Sequence, residues 1–405
     1  MNKYLIIIVC MMFVYSCSEE NNRVPLASDS TIPGLVSNVR TERLPGAIKF
    51  TYDTPGGQSL SYVKAECMIN GVLRQAKASS YVNTLIMEGF ADTSLYTISL
   101  YSVNRSEMAS KPVEVIEKPL MPSFLDVFKK HLRLEEDWGG VATFYENPNE
   151  SDISINMIYK GTDGYWKHGN TFYTKQKSGY FSLRGFEPKQ NEFGVYIRDR
   201  WNNSTDTMFR TLTPRFEKEI DRSKFAKYEL PTDVPKNTNS IVSYEAMWDG
   251  NMAKLSSTGT TTTCYISAGT VFPQWITINL NLSQGAYLSR FKFWQRCPLN
   301  STYCYQERNI RKFELWGSMN PAKDGSWDSW TYMLTGELVR PSGFASTPAD
   351  EDYQAALDGH EFVFPVGMPR VNFIRLKVLQ AWDGTTFQLA QIALWGQEPS
   401  DNPPK

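Results

Sequence analysis

Alternation is the dominant pattern of hydrophobic and polar positions along this chain. Short runs rich in Val, Ile, Tyr, Thr and Phe place apolar residues at every second position, with Gly, Pro, Asn and Asp between them. That period predicts half-buried strands, so the fold class expected is all-β. Segments 46–52, 60–69 and 96–104 predict three strands, with Asn70-Gly71 as a two-residue hairpin turn after the second. Segments 139–144, 153–159 and 193–199 repeat that order, and both closing strands run into an Asn/Ser turn, at 104–110 and 202–204. The likeness predicts two copies of one module, over residues 31–118 and 119–228, with a spacing and display role. A stretch rich in Pro, Asp, Lys and Asn, 229–240, predicts a linker that resists packing. A third domain then occupies 241–397, and 398–405 form a tail.

The N-terminus departs from this pattern. Lys3 precedes an apolar run from Tyr4 to Val14 that is too short for a membrane span and reads as a signal peptide over residues 1–17. Its end, Val14-Tyr15-Ser16-Cys17, resembles a bacterial lipobox, which implies that Cys17 is acylated and becomes the mature N-terminus. Glu19 and Glu20 follow, and acidic residues there resemble the export signal of surface lipoproteins in Gram-negative gut bacteria. The polar, aperiodic residues 18–30 suit a tether. No second apolar stretch reaches the ~20 residues of a span, so the expected location is the outer membrane surface, held by lipid alone.

Charge and composition narrow the chemistry. A formal net charge of -1 offers no cationic field for a nucleic acid backbone. Beyond Cys10 and Cys17 four cysteines remain, Cys67, Cys264, Cys297 and Cys304; an exported chain permits disulfides, and Cys297 with Cys304 bracket a loop short enough to be bridged. The three histidines, His131, His168 and His360, show no metal-ligand spacing and read as surface or turn residues. The sequence has no phosphate loop and no nucleophile elbow. Glu135-Glu136-Asp137 reads as a solvated acidic face, and Glu314 as a structural partner of Arg311. With three binding-type modules assigned, no segment is left for a separate catalytic domain.

Residues 241–397 carry the most specific resemblance. Met247-Trp248-Asp249-Gly250-Asn251, Pro273 to Leu280, Leu288 to Arg296, Ile310 to Ser318, Asp324 to Trp327, Phe373 to Val378 and Ile392 to Gly396 form an ordered series. The series resembles a discoidin or coagulation-factor type C domain, a galactose-binding-like jelly roll. Pro341 to Phe344, the acidic turn at Asp350 to Asp352 and Gly359 to Phe364 resemble a variant in lipoproteins of Sus-like glycan-uptake systems. The two preceding modules resemble fibronectin type III sandwiches, and the three-module order resembles those lipoproteins as well. What the resemblance implies is a non-catalytic surface glycan-binding lipoprotein working beside an outer-membrane TonB-dependent transporter complex, with a polysaccharide or oligosaccharide as ligand.

A saccharide site needs aromatic rings to stack on pyranose C–H faces and planar polar groups to bond its hydroxyls. Loop-borne candidates are Trp294, Arg296, Asn300, Tyr303 and Tyr305 around the cysteine loop, Tyr265, and Trp382 with Asp383. Trp316, Trp395, Phe291, Phe293, Phe313 and Ile374 read as core. The resemblance also implies a structural calcium near Asp249 and Asn251, although Gln391 stands where the family places a glutamate. Two other readings stay open: a protein-binding or adhesion lipoprotein, and a glycosidase or lyase hidden in the sandwich loops.

Overall fold

The structure, a computed structural model, describes residues 30–56, 59–239, 242–252, 263–297, 303–343 and 347–401. The signal segment, Cys17, most of the tether, Asn300 and Phe344 lie outside these residues. Among them no helix is long and apolar enough to cross a membrane.

The alternating segments form strands, as expected. The first unit is a sandwich of a three-stranded sheet, in order β1 (Ser37–Leu44), β2 (Ala47–Asp53), β5 (Thr84–Glu88), and a four-stranded sheet, in order β4 (Val72–Ser79), β3 (Leu60–Ile69), β6 (Tyr96–Asn104), β7 (Val113–Glu117). The Asn70-Gly71 turn joins β3 to β4 with both residues at positive φ, +49° and +74°, as a mirror-image two-residue turn requires. Alternate residues of the two sheets, among them Ile48, Phe50, Val63, Ile98 and Leu100, fill its core. Each such side chain contributes about 1.5–3 kcal/mol by leaving water.

The second unit repeats the plan: β12 (Ser178–Arg184), β9 (Gly140–Glu146) and β8 (Leu132–Asp137) face β11 (Trp166–Thr174), β10 (Ile153–Lys160), β13 (Asn191–Asp199) and β14 (Met208–Leu212). Its separate core holds Val141, Ile153, Ile155, Phe193, Val195 and Ile197. One hydrogen-bonding device closes both units. The amide of Ser102 donates to Ser110 Oγ at 3.0 Å, and the amide of Ile197 donates to Thr205 Oγ1 at 3.0 Å. In each case the hydroxyl residue, eight positions on, returns its own amide to the carbonyl of the first. Two copies of one fold, as expected from the repeated strand order, explain that coincidence.

The third unit is a larger sandwich. One sheet runs β15 (Lys218–Glu219), β25 (Gln391–Gln397), β19 (Tyr287–Trp294), β22 (His360–Val363). The other runs β16 (Ala226–Lys227), β18 (Gln274–Asn279), β23 (Phe373–Ala381), β20 (Ile310–Ser318), β21 (Thr331–Glu337), and a small ribbon pairs β17 (Tyr265–Ile266) with β24 (Gln388–Leu389).

The free linker expected at 229–240 is instead built into this unit. Residues 218–227 supply two edge strands, and the Val234 amide donates to the Trp275 carbonyl at 2.9 Å. Asp233, almost wholly buried, accepts from the Thr277 amide at 3.0 Å and lies 3.4 Å from the Arg375 guanidinium. Polar composition was misleading here because the buried charge has a partner.

The units are docked together. The Trp201 ring lies against Gly89 and 4.0 Å from the Arg200 guanidinium, while Arg200 pairs with Glu88 and Asn203 donates to the Gly89 carbonyl at 3.1 Å. Between the second and third units, Arg184 pairs with Asp137 at 3.1 Å and lies 3.5 Å from Glu217, which meets Arg290 at 3.3 Å and accepts from Ser289 Oγ at 2.6 Å. Asp137, expected on a solvated acidic face, is therefore an interior link of this chain of charges.

Candidate functional site

Strand parity sorts the aromatic residues of the third unit. Phe291, Phe293, Phe313 and Ile374 are interior, as expected. Trp316 and Trp395, expected in the core, are not. Leu315 and Leu394 take the inward positions, so the following tryptophans face the opposite way, Trp395 under Arg290 at 4.4 Å.

The loop candidates separate in a similar manner. Trp294, only 7 % exposed, packs with Ala390 and Ala393 and donates its Nε1–H to the Leu357 carbonyl at 3.1 Å. Tyr265 sits in β17 against Tyr244 and Phe387, 5.0 and 5.5 Å away, and is fully buried. Tyr305 is buried as well, its ring edge-on to Trp382 at 5.5 Å. These three rings cannot meet a saccharide, because neighbouring elements already cover both of their faces. Arg296, Tyr303, Trp382 and Asp383 do gather at one end of the sandwich. Asn309, which sequence reading passed over, organises them: its side chain accepts from the Arg296 amide at 3.0 Å and donates to the Tyr303 carbonyl at 2.8 Å, and its carbonyl receives the Trp382 amide at 2.9 Å. Trp382 is half-buried beneath the Arg311 guanidinium at 5.0 Å.

Two further expectations at this end are corrected. Cys297 and Cys304 are buried thiols hydrogen-bonded to each other, not a bridge, and that contact together with burial raises the Cys297 thiol. His360 is not a surface residue. It packs between Phe293 and Tyr305 and its Nε2 pairs with the Gln295 amide nitrogen at 2.8 Å, so the ring accepts there and is neutral. Burial, with Lys292 nearby, lowers its pKa from 6.5 to about 4. The unfolded chain therefore binds the proton first, and stability falls as pH drops from 6.5 toward 4, by roughly 2–3 kcal/mol. Denaturant unfolding at pH 7.5 and 4.5 checks this: the loss should be smaller by that amount in His360→Phe, and equal losses in both proteins would refute it.

The residues expected to hold calcium do not fit that ion. Gln391, fully buried, donates its side-chain N–H groups to the Ala246 carbonyl at 3.0 Å and to Asp249 Oδ1, and accepts from Arg222 at 3.5 Å. Asn251 contributes its backbone amide to Asp249 at 2.9 Å, as a turn would. A hard cation here would face N–H donors where it needs oxygens. Among the described residues no cluster of three or more His, Cys, Asp or Glu is placed to hold a metal.

A series of half-buried aromatic rings ending on an exposed tyrosine lies elsewhere, on the outer face of the five-stranded sheet. Register places Trp275, Lys377, Glu314 and Thr335 in one row across four strands, and Thr277, Arg375, Trp316 and Tyr332 in the next. The turn between β20 and β21 adds Trp327, whose ring centroid is 5.3 Å from Trp275 and 5.1 Å from Trp316; Tyr332, 47 % exposed, continues the series 5.5 Å beyond Trp316. Lys377 and Glu314 pair at 2.9 Å beside the rings, and Trp316 Nε1–H donates to Glu314 at 2.9 Å. Glu314 thus partners Lys377 and Trp316, not Arg311. Beneath the turn Arg375 is wholly buried between Trp327 and Trp330, 4.6 and 4.5 Å from their rings, and donates to the Gly325 carbonyl at 3.1 Å. The signal for this face was present in the alternation: inward Phe313 and Leu315 leave Glu314 and Trp316 outward.

Family models described as domains of unknown function match three stretches of the chain: DUF4959 at residues 33–119, DUF5126 at 120–223 and DUF5000 at 248–396. Comparison with curated protein sequences returns no match. Among solved structures, the chain is similar to a SusE-like protein at 29 % identity and a TM-score of 0.43, covering 68 % of this chain and 99 % of that one. It is also similar to a chitosan-binding module from a chitosanase/glucanase of Paenibacillus sp. IK-5, at 16 % identity and a TM-score of 0.25 over 42 % of this chain and 99 % of that one. A CBM32 module solved with 4,5-unsaturated mannuronic acid matches at 16 % identity and a TM-score of 0.24, over 42 % and 97 % of the two chains.

Proposed function

We propose that this protein is a non-catalytic glycan-binding lipoprotein, held at the outer membrane surface through Cys17 and presenting polysaccharide to a nutrient transporter. The observation that carries the reading is the run Trp275, Trp327, Trp316 and Tyr332, three half-buried tryptophans in edge-on contact that end on the exposed Tyr332 and are flanked by the Glu314–Lys377 pair. Rings of this kind stack on the apolar faces of pyranoses, and the flanking carboxylate and ammonium bond the equatorial hydroxyls. The paired charges leave little net field, which suits a neutral polymer. The loop end bearing Arg296, Tyr303, Trp382 and Asp383 offers a second, more polar edge to the same ligand class.

Affinity electrophoresis of the chain lacking residues 1–17, in gels containing amylopectin, galactomannan, xyloglucan, pectic galactan, yeast mannan or chondroitin sulfate, tests the reading. At least one polysaccharide should retard the protein, and Trp316→Ala or Tyr332→Ala should weaken that retardation at least tenfold, a difference of about 1.4 kcal/mol. Lack of retardation by all six, or full binding by the Trp316→Ala, Tyr332→Ala double variant, would refute it.

A further inference from the structure

The second sandwich, predicted to be a spacer, carries an open aromatic face of its own. On the four-stranded sheet the cross-strand register aligns Trp166 with Lys160, and His168 with Ile158, Gly194 and Phe209, so these side chains share the face turned away from the core. Trp166 and Phe209 stand on the two edge strands, yet their ring centroids are 4.7 Å apart. In the row between the two edge strands stands Gly194, where a Cβ would come within 2.8 Å of Ile158 and 2.9 Å of Thr207. The two rings are 40 % and 50 % exposed. Large aromatic side chains lying open on a sheet that has its own filled core need an explanation other than stability.

The surroundings of the two rings indicate the kind of occupant. Lys160 is paired with Glu192, and Arg198 lies over the Tyr196 ring at 5.2 Å, so the cations of this face are engaged. A polyanion or an acidic membrane would find little charge to neutralise. The polar groups are held in fixed directions. Thr171 donates to Asn156 Oδ1 at 2.8 Å, and its hydroxyl oxygen lies 2.9 Å from His168 Nε2. Beside the face, between the β10–β11 hairpin and the neighbouring loops, opens a cavity of about 480 Å³ lined by Tyr159, Phe186, Asn191, Lys160, His168 and Arg184. Lys160 and His168 belong to both the face and the cavity. Aromatic planes next to directed, uncharged or charge-paired hydrogen-bonding groups are the complement of a pyranose.

We infer that Trp166 and Phe209, with His168 and the Lys160–Glu192 pair, form a second carbohydrate-binding site, on the middle sandwich. The inference rests on the glycan-binding reading above and extends it: the Asp137–Arg184–Glu217–Arg290 chain holds this site and the aromatic face of the third unit in one arrangement, so a long polysaccharide engages both. The second contact is then intramolecular and raises the overall affinity without any new type of interaction.

The test uses the chain without residues 1–17 in the same six polysaccharide gels, with Trp166→Ala, Phe209→Ala and Trp166→Phe, and with Tyr332→Ala for comparison. In the polysaccharide that retards the unaltered protein most, Trp166→Ala and Phe209→Ala should each weaken retardation at least fivefold, and Trp166→Phe should keep most of it. Their thermal unfolding should match the unaltered protein within about 2 °C, since neither ring belongs to the core. If both alanine variants bind as tightly as the unaltered protein while Tyr332→Ala does not, the second site is refuted and the function stands. If no gel retards the unaltered protein, both fall. Should either alanine variant unfold early, retention of binding by Trp166→Phe together with loss in a His168→Ala variant supports the site, and full binding by His168→Ala counts against it.

Discussion

Asp233→Ala is expected to lower the stability of the C-terminal sandwich by about 3–5 kcal/mol, the usual cost of leaving one member of a buried ion pair without the other. Arg375 shows no exposure, and Asp233 is the carboxylate that faces it, with Nη2 3.4 Å from Oδ1. Burial disfavours the charge on both groups, raising the Asp233 carboxyl and lowering the Arg375 guanidinium, and their mutual attraction opposes that in each. Deleting the carboxylate also strands the Thr277 hydroxyl and amide and the Leu230 amide, which donate to it at 3.1, 3.0 and 3.3 Å. The Gly325 carbonyl and the two tryptophan rings retain part of the guanidinium's stabilisation, which keeps the loss toward the lower end of the range.

In a thermal melt the transition of this unit should fall by roughly 10 °C. Asp233→Asn, which keeps the acceptor oxygen and removes the charge, should fall less. Glu229→Ala, at an exposed position four residues earlier, should leave the melt unchanged. A shift below about 2 °C for Asp233→Ala would mean that the segment 229–239 is a tether lying against the domain and not a part of it. The same variant should weaken polysaccharide binding, because Arg375 holds the turn that carries Trp327.

Gln391→Glu is expected to make the turn at Asp249 calcium-dependent. The amide now links Ala246 and Asp249 by donating to both; a glutamate has no proton to give at neutral pH and would aim a carboxylate at two acceptor oxygens. The unliganded variant should lose about 2–4 kcal/mol, tempered by Arg222, whose guanidinium already reaches the side chain at 3.5 Å. Calcium at about ten times its dissociation constant would return roughly 1.4 kcal/mol, and lowering the pH to protonate the new carboxyl would return stability without metal. For the unaltered protein, melting curves with calcium and with a chelator should superimpose. A chelator-induced fall in its melting temperature would show that the amide turns its oxygen to a cation, contrary to the bonding described.

Much of the fold was legible because strand alternation is a local property. The period of two in residues 46–52, 96–104, 153–159 and 193–199 determines strands, and Asn70-Gly71 determines a hairpin, since few residues tolerate two successive positive φ values. The tandem copies could be read from repeated order, and parity placed Phe291, Phe293 and Phe313 in the core. The same parity turns Trp316 outward, because Leu315 beside it points into the core.

What a sequence period cannot state is which other element covers a given face. Trp294, Tyr265 and Tyr305 have the composition of a sugar platform, but the helix Asp350–Asp358 covers the first, Tyr244 and Phe387 the second, and His360 and Trp382 the third. Asp233 has the composition of a linker, but a guanidinium far along the chain neutralises it. Trp166 and Phe209, with no motif around them, meet across four strands. Side-chain direction along one strand follows from backbone geometry alone, so the chain's own residues determined it. Exposure depends on contacts between residues distant in sequence, and only the tertiary arrangement decided which aromatic rings of this protein face water.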